Sequence, residues 1–124
     1  MTTYFTEEHQ WARLSDDGLI ATIGISHHAQ DALGDIVFVD LPAVGKTFAQ
    51  FDVGAVVESV KTAADVLVGL SGTVMEVNEA LRADPALANT DPMAAGWFFK
   101  MSVDPTDATA ELAQLIPESS YAPS

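Results

Sequence analysis

At 124 residues the chain has the length of one domain able to build a core without staples, and its lack of cysteine excludes disulfides, thiol nucleophiles and thiolate metal sites. Eighteen acidic residues against five basic ones leave a formal net charge of -13, which repels phosphate backbones and anionic headgroups and argues against nucleic acid or membrane as a partner. No apolar run is long enough to cross a bilayer and no charged, then apolar, leader precedes the domain, so an unexported, cytoplasmic protein is expected, a mature mitochondrial chain being the other setting of this kind.

The first thirteen residues mix Tyr4, Phe5, Trp11 and Ala12 with Thr6, Glu7, Glu8 and His9, predicting a strand, a turn and a second strand. Asp16-Asp17-Gly18 signals a turn, and the β-rich stretch from Leu19 to Ile25 completes a hairpin with the segment before it. Ser26 reads as the N-cap of a short helix over His27 to Leu33, with Ala29, Ala32 and Leu33 on one face and Gly34 as its stop.

Ile36 to Val39 forms the next strand, ended by Leu41-Pro42, and Gly45 turns the chain into Phe48 to Phe51, expected to continue the sheet. From Val53 the apolar residues Val56, Val57 and Val60 pause at Thr62-Ala63-Ala64-Asp65 and resume at Val66, Leu67 and Val68, the pattern of two strands joined at a tight bend. Ser71-Gly72 leads into a strand over Thr73 to Val77. Asn78 to Leu87 is mixed, with a helical turn before Pro92, and Trp97 to Val103 is the last expected strand. Asp107 is read as the cap of a final helix whose apolar edge is Leu112, Leu115 and Ile116 and whose stop is Pro117, before a polar tail. The whole predicts a mainly β domain spanning residues 1–124, a small sandwich or part-closed barrel with short helices, one near the C-terminus.

Among the lysines Lys46, Lys61 and Lys100, Lys61 stands out because it sits at the bend between two apolar strands. A side chain that another enzyme acylates must project, since the modifying site has to surround its amine and the attached arm has to sweep freely. By position alone, simple solvation of a turn lysine is the commoner reading. His9, His27 and His28 form no metal set, because adjacent histidines on a helix point about 100° apart and no second pair lies at i+4. The carboxylate pairs Glu7-Glu8 and Asp16-Asp17 sit in polar turns where burial is not expected, and Gly18, Gly24, Gly34 and Gly45 are isolated rather than a phosphate loop. No nucleophile, base and oxyanion donor can be assembled, so no enzyme is predicted.

Glu58-Ser59-Val60-Lys61 followed by Asp65 resembles the lipoylation motif of the glycine cleavage H-protein family. Further segments match that family in order: Glu8-His9-Gln10-Trp11, Gly24-Ile25-Ser26, His28-Ala29-Gln30, Leu33 through Val39, Leu41-Pro42, Val77-Asn78, Ala80-Leu81, Asn89, Asp91-Pro92 and Gly96-Trp97. The resemblance covers nearly the entire chain. It implies a barrel-sandwich hybrid, the lipoyl-domain-like fold, with lipoic acid bound covalently as an amide on Lys61. It further implies a non-catalytic carrier taking the aminomethyl group of glycine from glycine decarboxylase (P protein) to the aminomethyltransferase (T protein), with dihydrolipoamide dehydrogenase (L protein) reoxidising the dithiol. A lipoate ligase, or an octanoyltransferase with lipoyl synthase, would load the arm, and a monomer is expected. By matching position, Glu8, His9, Gln10 and Asp65 would line a cleft that receives the loaded arm, where a carboxylate favours the cation of a primary amine.

This sequence departs from the resemblance at Gln10, where glutamate is usual, at His27, where an acidic residue is common, and at Gly69, where proline is common. Gln10 supplies a hydrogen-bond acceptor without charge, which leaves room for a lipoyl protein that relays lipoate or carries another sulfur-bound cargo. A biotin carrier fits less well, since its lysine usually lies between two methionines and Lys61 lies between Val60 and Thr62.

Overall fold

The computed structural model describes residues 2–121. Among the described residues, ten strands form two antiparallel sheets. The larger, in the order β10-β1-β2-β3-β9-β8-β5, contains β1 (Thr2–Phe5), β2 (Gln10–Leu14), β3 (Ile20–Ile25), β5 (Thr47–Phe48), β8 (Gly72–Val77), β9 (Phe99–Ser102) and β10 (Ile116–Pro117). The smaller, in the order β4-β6-β7, contains β4 (Ile36–Asp40), β6 (Val53–Ser59) and β7 (Ala63–Leu67). Among the described residues, four short α-helices, α1 (His27–Leu33), α2 (Glu79–Ala83), α3 (Leu87–Thr90) and α4 (Pro105–Leu112), lie between strands. This is the mainly β, two-sheet architecture that the sequence predicts.

The β2–β3 hairpin turns through Asp16-Asp17-Gly18 as expected: Gly18 takes a φ of 73°, and Ser15 N–H donates to the Ile20 carbonyl at 2.8 Å. Inward-facing residues of the two sheets make one core, with Ala21, Ile23, Phe99 and Met101 from the larger and Val39, Ala55, Val57 and Val66 from the smaller. The sheets meet closely at Gly54, where an added Cβ would lie 2.7 Å from Phe99 Cζ and from Val68 Cγ1. Only a residue without a side chain lets the backbone come that near. Trp11 is fully buried, and its indole N–H is shared between the carbonyls of Ile25 at 2.9 Å and Pro92 at 3.0 Å.

Several expectations need correction. The stretch Phe48 to Phe51 is strand only at Thr47–Phe48, because Asp52 N–H donates to the Ala49 carbonyl at 3.0 Å and Phe51 is left-handed with a φ of 70°, which breaks the ladder. The last long strand is shorter than Trp97 to Val103 and pairs over Phe99–Ser102. The final helix is capped by Asp104, not Asp107: its carboxylate accepts from Thr106 N–H at 2.9 Å and Asp107 N–H at 3.1 Å, with Pro105 in the first turn. That helix ends at Leu112, so Pro117 does not stop it. Ile116 and Pro117 instead pair with Phe5 and Tyr4 as an edge strand. The mixed segment after Asn78 holds two short helices rather than one turn.

Candidate functional site

Lys61 lies in the turn between β6 and β7, and Ser59 organises that turn. Ser59 Oγ accepts from Lys61 N–H at 3.1 Å and Thr62 N–H at 3.2 Å, while Ser59 N–H donates to the Thr62 carbonyl at 2.8 Å. A hydroxyl that gathers two neighbouring amides replaces the hydrogen bonds the turn cannot make with a strand. Val60 N–H donates to the Asp35 carbonyl at 3.0 Å, which ties the tip to the loop after α1. Val60, Lys61 and Thr62 are exposed, Val60 to 68%.

The lysine stem rests beside Gly34, where a built Cβ would come within 3.2 Å of Lys61 Cε, and Gly34 has a φ of 78°. Gly34 therefore ends α1 in a conformation that side chains disfavour and leaves room for the lysine. The other two lysines stand elsewhere: Lys100 sits 4.0 Å from Glu76 and 5.0 Å from the Trp97 ring, and Lys46 is exposed on the loop before β5. Lys61 makes no ion pair among the described residues.

A cleft of about 440 Å³ opens between the β1–β2 turn, α1 and β7. Its walls are Ile25, Ala29, Ala32, Leu33, Val57, Ala64, Val66 and Leu67, and its polar groups are Glu8, His9, Gln10, His28 and Asp65. None of the α1 residues is fully buried: Ala29 and Leu33 pack against the edge of the core and also border this opening. The four cleft residues named from the sequence are thus together, although Glu8 lies in the β1–β2 turn and Asp65 far along the chain on β7 of the smaller sheet. Glu58, Ser59 and Val60 flank Lys61 outside the cleft, with Glu58 exposed opposite Phe38.

Gln10 is only 5% exposed and its amide is spent inside the protein. Its oxygen accepts from the Thr6 hydroxyl, and its nitrogen donates weakly to the Asp65 carbonyl at 3.4 Å. A glutamate there could not donate to that carbonyl, so the amide suits a contact joining β2 to β7. His9 is left-handed with a φ of 72°, held by its N–H to the Thr6 carbonyl at 3.1 Å and by its own carbonyl, which accepts from Ser26 N–H at 2.9 Å. Partial burial first, and then the neighbouring His28, hold the His9 pKa below its ordinary 6.5, with Glu8 pulling the other way.

Sequence reading missed His28 as a cleft residue, although it shares the helical face of Ala29, Ala32 and Leu33. His27 is exposed and lines a separate hollow with Phe5 and Tyr121. The role of Tyr121 had no local signal, since its contacts lie at the other end of the chain.

An exposed amine on a hydrogen-bonded turn, next to an apolar cleft rimmed by Glu8 and Asp65, fits a long acyl arm bearing a cationic cargo. The sequence profile described as "Glycine cleavage H-protein" matches residues 3–123. The chain belongs to the glycine cleavage H-protein family. It is similar to "Glycine cleavage system H protein 2" of Pseudomonas syringae pv. tomato, 53% identical over 117 residues, covering 94% of this chain and 88% of that protein. It is also similar to "Glycine cleavage system H protein" of a Psychrobacter species, 52% identical over 103 residues, covering 83% and 81%. Among solved structures, that of a glycine cleavage system H protein from Mycobacterium marinum superposes with a TM-score of 0.79 at 34% identity, covering 94% of this chain and 91% of that one. The barrel-sandwich fold follows, and members of this family are lipoyl carriers of glycine cleavage, not enzymes. No helix among the described residues is long and apolar enough to cross a membrane.

Proposed function

We propose that lipoic acid is attached to Lys61 Nζ as an amide and that this protein, as one carrier domain over residues 1–124, takes the aminomethyl group of glycine from the P protein to the T protein. The observation that carries this reading is the exposed Lys61 at a tightly bonded turn beside the apolar cleft. When bound, the dithiolane supplies the sulfur that holds the cargo and the disulfide that the L protein restores, chemistry that a chain without cysteine lacks.

Ser59 and Asp35 hold the turn so that the lysine projects. Leu33, Ala64 and Val66 offer the arm a partly dry surface, and Glu8 and Asp65 favour a cationic end group. Tethering raises the cargo's effective concentration at each partner's site without release into solvent. Lipoate ligase, or octanoyltransferase with lipoyl synthase, loads the arm. The carrier acts as a cytoplasmic monomer.

Intact-mass measurement with peptide mapping after incubation with a lipoate ligase, ATP and lipoate tests the attachment. One lipoyl group on Lys61, absent in Lys61→Arg, is expected; a lipoyl group elsewhere, or none under conditions that modify another H protein, overturns it. The commitment of the Gln10 amide to Thr6 and Asp65 keeps a second reading in view, a carrier of lipoate or another sulfur-bound cargo. Reconstitution with P and T proteins separates the two by whether one-carbon transfer from glycine occurs.

A further inference from the structure

The chain returns at Tyr121 to the turn that walls the cleft. The Tyr121 ring stacks on Phe5 with centroids 3.8 Å apart and planes 5° from parallel. Its hydroxyl lies 2.7 Å from His9 Nδ1 and donates to Ser26 Oγ at 3.2 Å. Ser26 is buried and its Oγ also accepts from Ala29 N–H at 3.1 Å, the N-cap bond of α1.

A phenol has one hydrogen to give. With that hydrogen directed to Ser26, the short contact to His9 is made by a hydrogen on Nδ1. The neutral ring then carries its lone pair on Nε2, and the ring lines the cleft. The groups facing it are His28 from α1, whose ring centroid is 4.2 Å away, Glu8 beside it, Tyr121 from the C-terminal segment, and Gln10 and Asp65 across the cleft. Gln10 is spent on Thr6 and on the Asp65 carbonyl, so the neutral acceptor left among these groups is an imidazole nitrogen.

We propose that His9 Nε2 accepts a hydrogen bond from the primary ammonium carried on the arm, and that Tyr121 is a positioning residue that fixes the His9 tautomer for this contact. The proposal rests on Lys61 as the lipoyl attachment point and adds to it the residue pair that retains the cargo in a cleft whose position 10 is uncharged. Tyr121 does this from outside the cleft, through the Phe5 stack and the Ser26 cap. Protonation of His9 would turn the acceptor into a donor, so retention weakens in acid.

The test uses lipoylated protein in wild-type form and as Tyr121→Phe, which keeps the stack on Phe5, and His9→Asn, which tolerates a left-handed backbone. Ring-nitrogen NMR of the protein labelled with ¹⁵N-histidine reads the tautomer at a pH above the titration. Release of ammonium from the aminomethyl-loaded arm reads retention, the thioaminal plus water giving the free thiol, formaldehyde and ammonium. Expected are the Nδ1–H tautomer in wild type, a mixture in Tyr121→Phe with several-fold faster release, and release about tenfold faster in His9→Asn. An Nε2–H tautomer in wild type, or wild-type release rates in both variants, overturns the proposal. Failure of lipoylation at Lys61 is seen separately by mass and sinks the attachment reading instead, while the tautomer of the unmodified protein still tests the role of Tyr121.

Discussion

Asn89 clasps the loop at Gly34. Its side-chain nitrogen donates to the Gly34 carbonyl at 2.9 Å and to Gln30 Oε1 at 2.9 Å, while its oxygen accepts from Ile36 N–H at 2.8 Å. The loop so held supplies the Asp35 carbonyl that anchors Val60 and the Gly34 surface beside the Lys61 stem. A residue on α3 thereby sets where the lipoyl turn stands. Asn89→Ala is expected to lower stability by about 1–3 kcal/mol, because partly buried groups lose their partners. Hydrogen exchange in this variant should be faster at Val60 N–H and Ile36 N–H than within β6, and equal protection would refute the clasp.

Trp11 and Gly24 are register partners across β2 and β3, and a Cβ on Gly24 would lie 2.5 Å from the indole ring. The ring is fully buried and cannot move aside without breaking its bonds to Ile25 and Pro92. Gly24→Ala should cost about 1–3 kcal/mol by overpacking, measured by urea unfolding followed through tryptophan fluorescence. A loss within error of zero would mean the indole has a second position.

The cap of α4 separates two aspartates. Asp104→Ala should lose about 0.5–2 kcal/mol with the two hydrogen bonds its carboxylate accepts from backbone N–H groups, whereas Asp107→Ala should lose about 0.3–1 kcal/mol, the interaction of a first-turn carboxylate with the helix dipole. Denaturant midpoints of the two variants decide the order.

Lys61→Arg should leave stability within about 0.5 kcal/mol of wild type, since the side chain is exposed and makes no ion pair among the described residues. Thermal unfolding checks this alongside the loss of lipoylation. A large loss would mean that the contact of the lysine stem with Gly34 is structural.

His9 links stability to pH. Its folded pKa is depressed below 6.5 chiefly by burial, so below 6.5 the unfolded chain takes up a proton that the folded protein does not. The contribution of His9 to stability is present above 6.5 and is lost as pH falls toward the folded value. Unfolding midpoints from pH 8 to 5 in wild type and His9→Asn should converge at the acidic end, and parallel curves would contradict the linkage.

Much of the fold was legible because the signals are local. The apolar runs around Val56 and Val66, the Asp-Gly turn and the Ser26 cap each depend on a few adjacent residues; the turn and the cap stand where they were expected, while the strand after Lys61 begins at Ala63, inside the stretch read as the bend, and ends at Leu67. The failures also have local causes. Asp107 and Asp104 are both plausible caps in composition, and Pro105 in the first helical turn decides between them. Phe51 looks like strand by hydrophobicity, but its left-handed backbone is imposed by the bonds of Ala49 with Asp52 and of Phe51 N–H with the Val68 carbonyl.

The sequence by itself determined most of the strands, the turn bearing Lys61 and the family, because periodicity, turn residues and ordered motifs are written along the chain. Only the tertiary structure decided which side chains share the cleft. The bond between His9 and Tyr121 spans 112 positions and that between Gln10 and the Asp65 carbonyl spans 55. Such pairs form only once the two sheets have packed, when each buried polar group must take the partner that packing brings within reach.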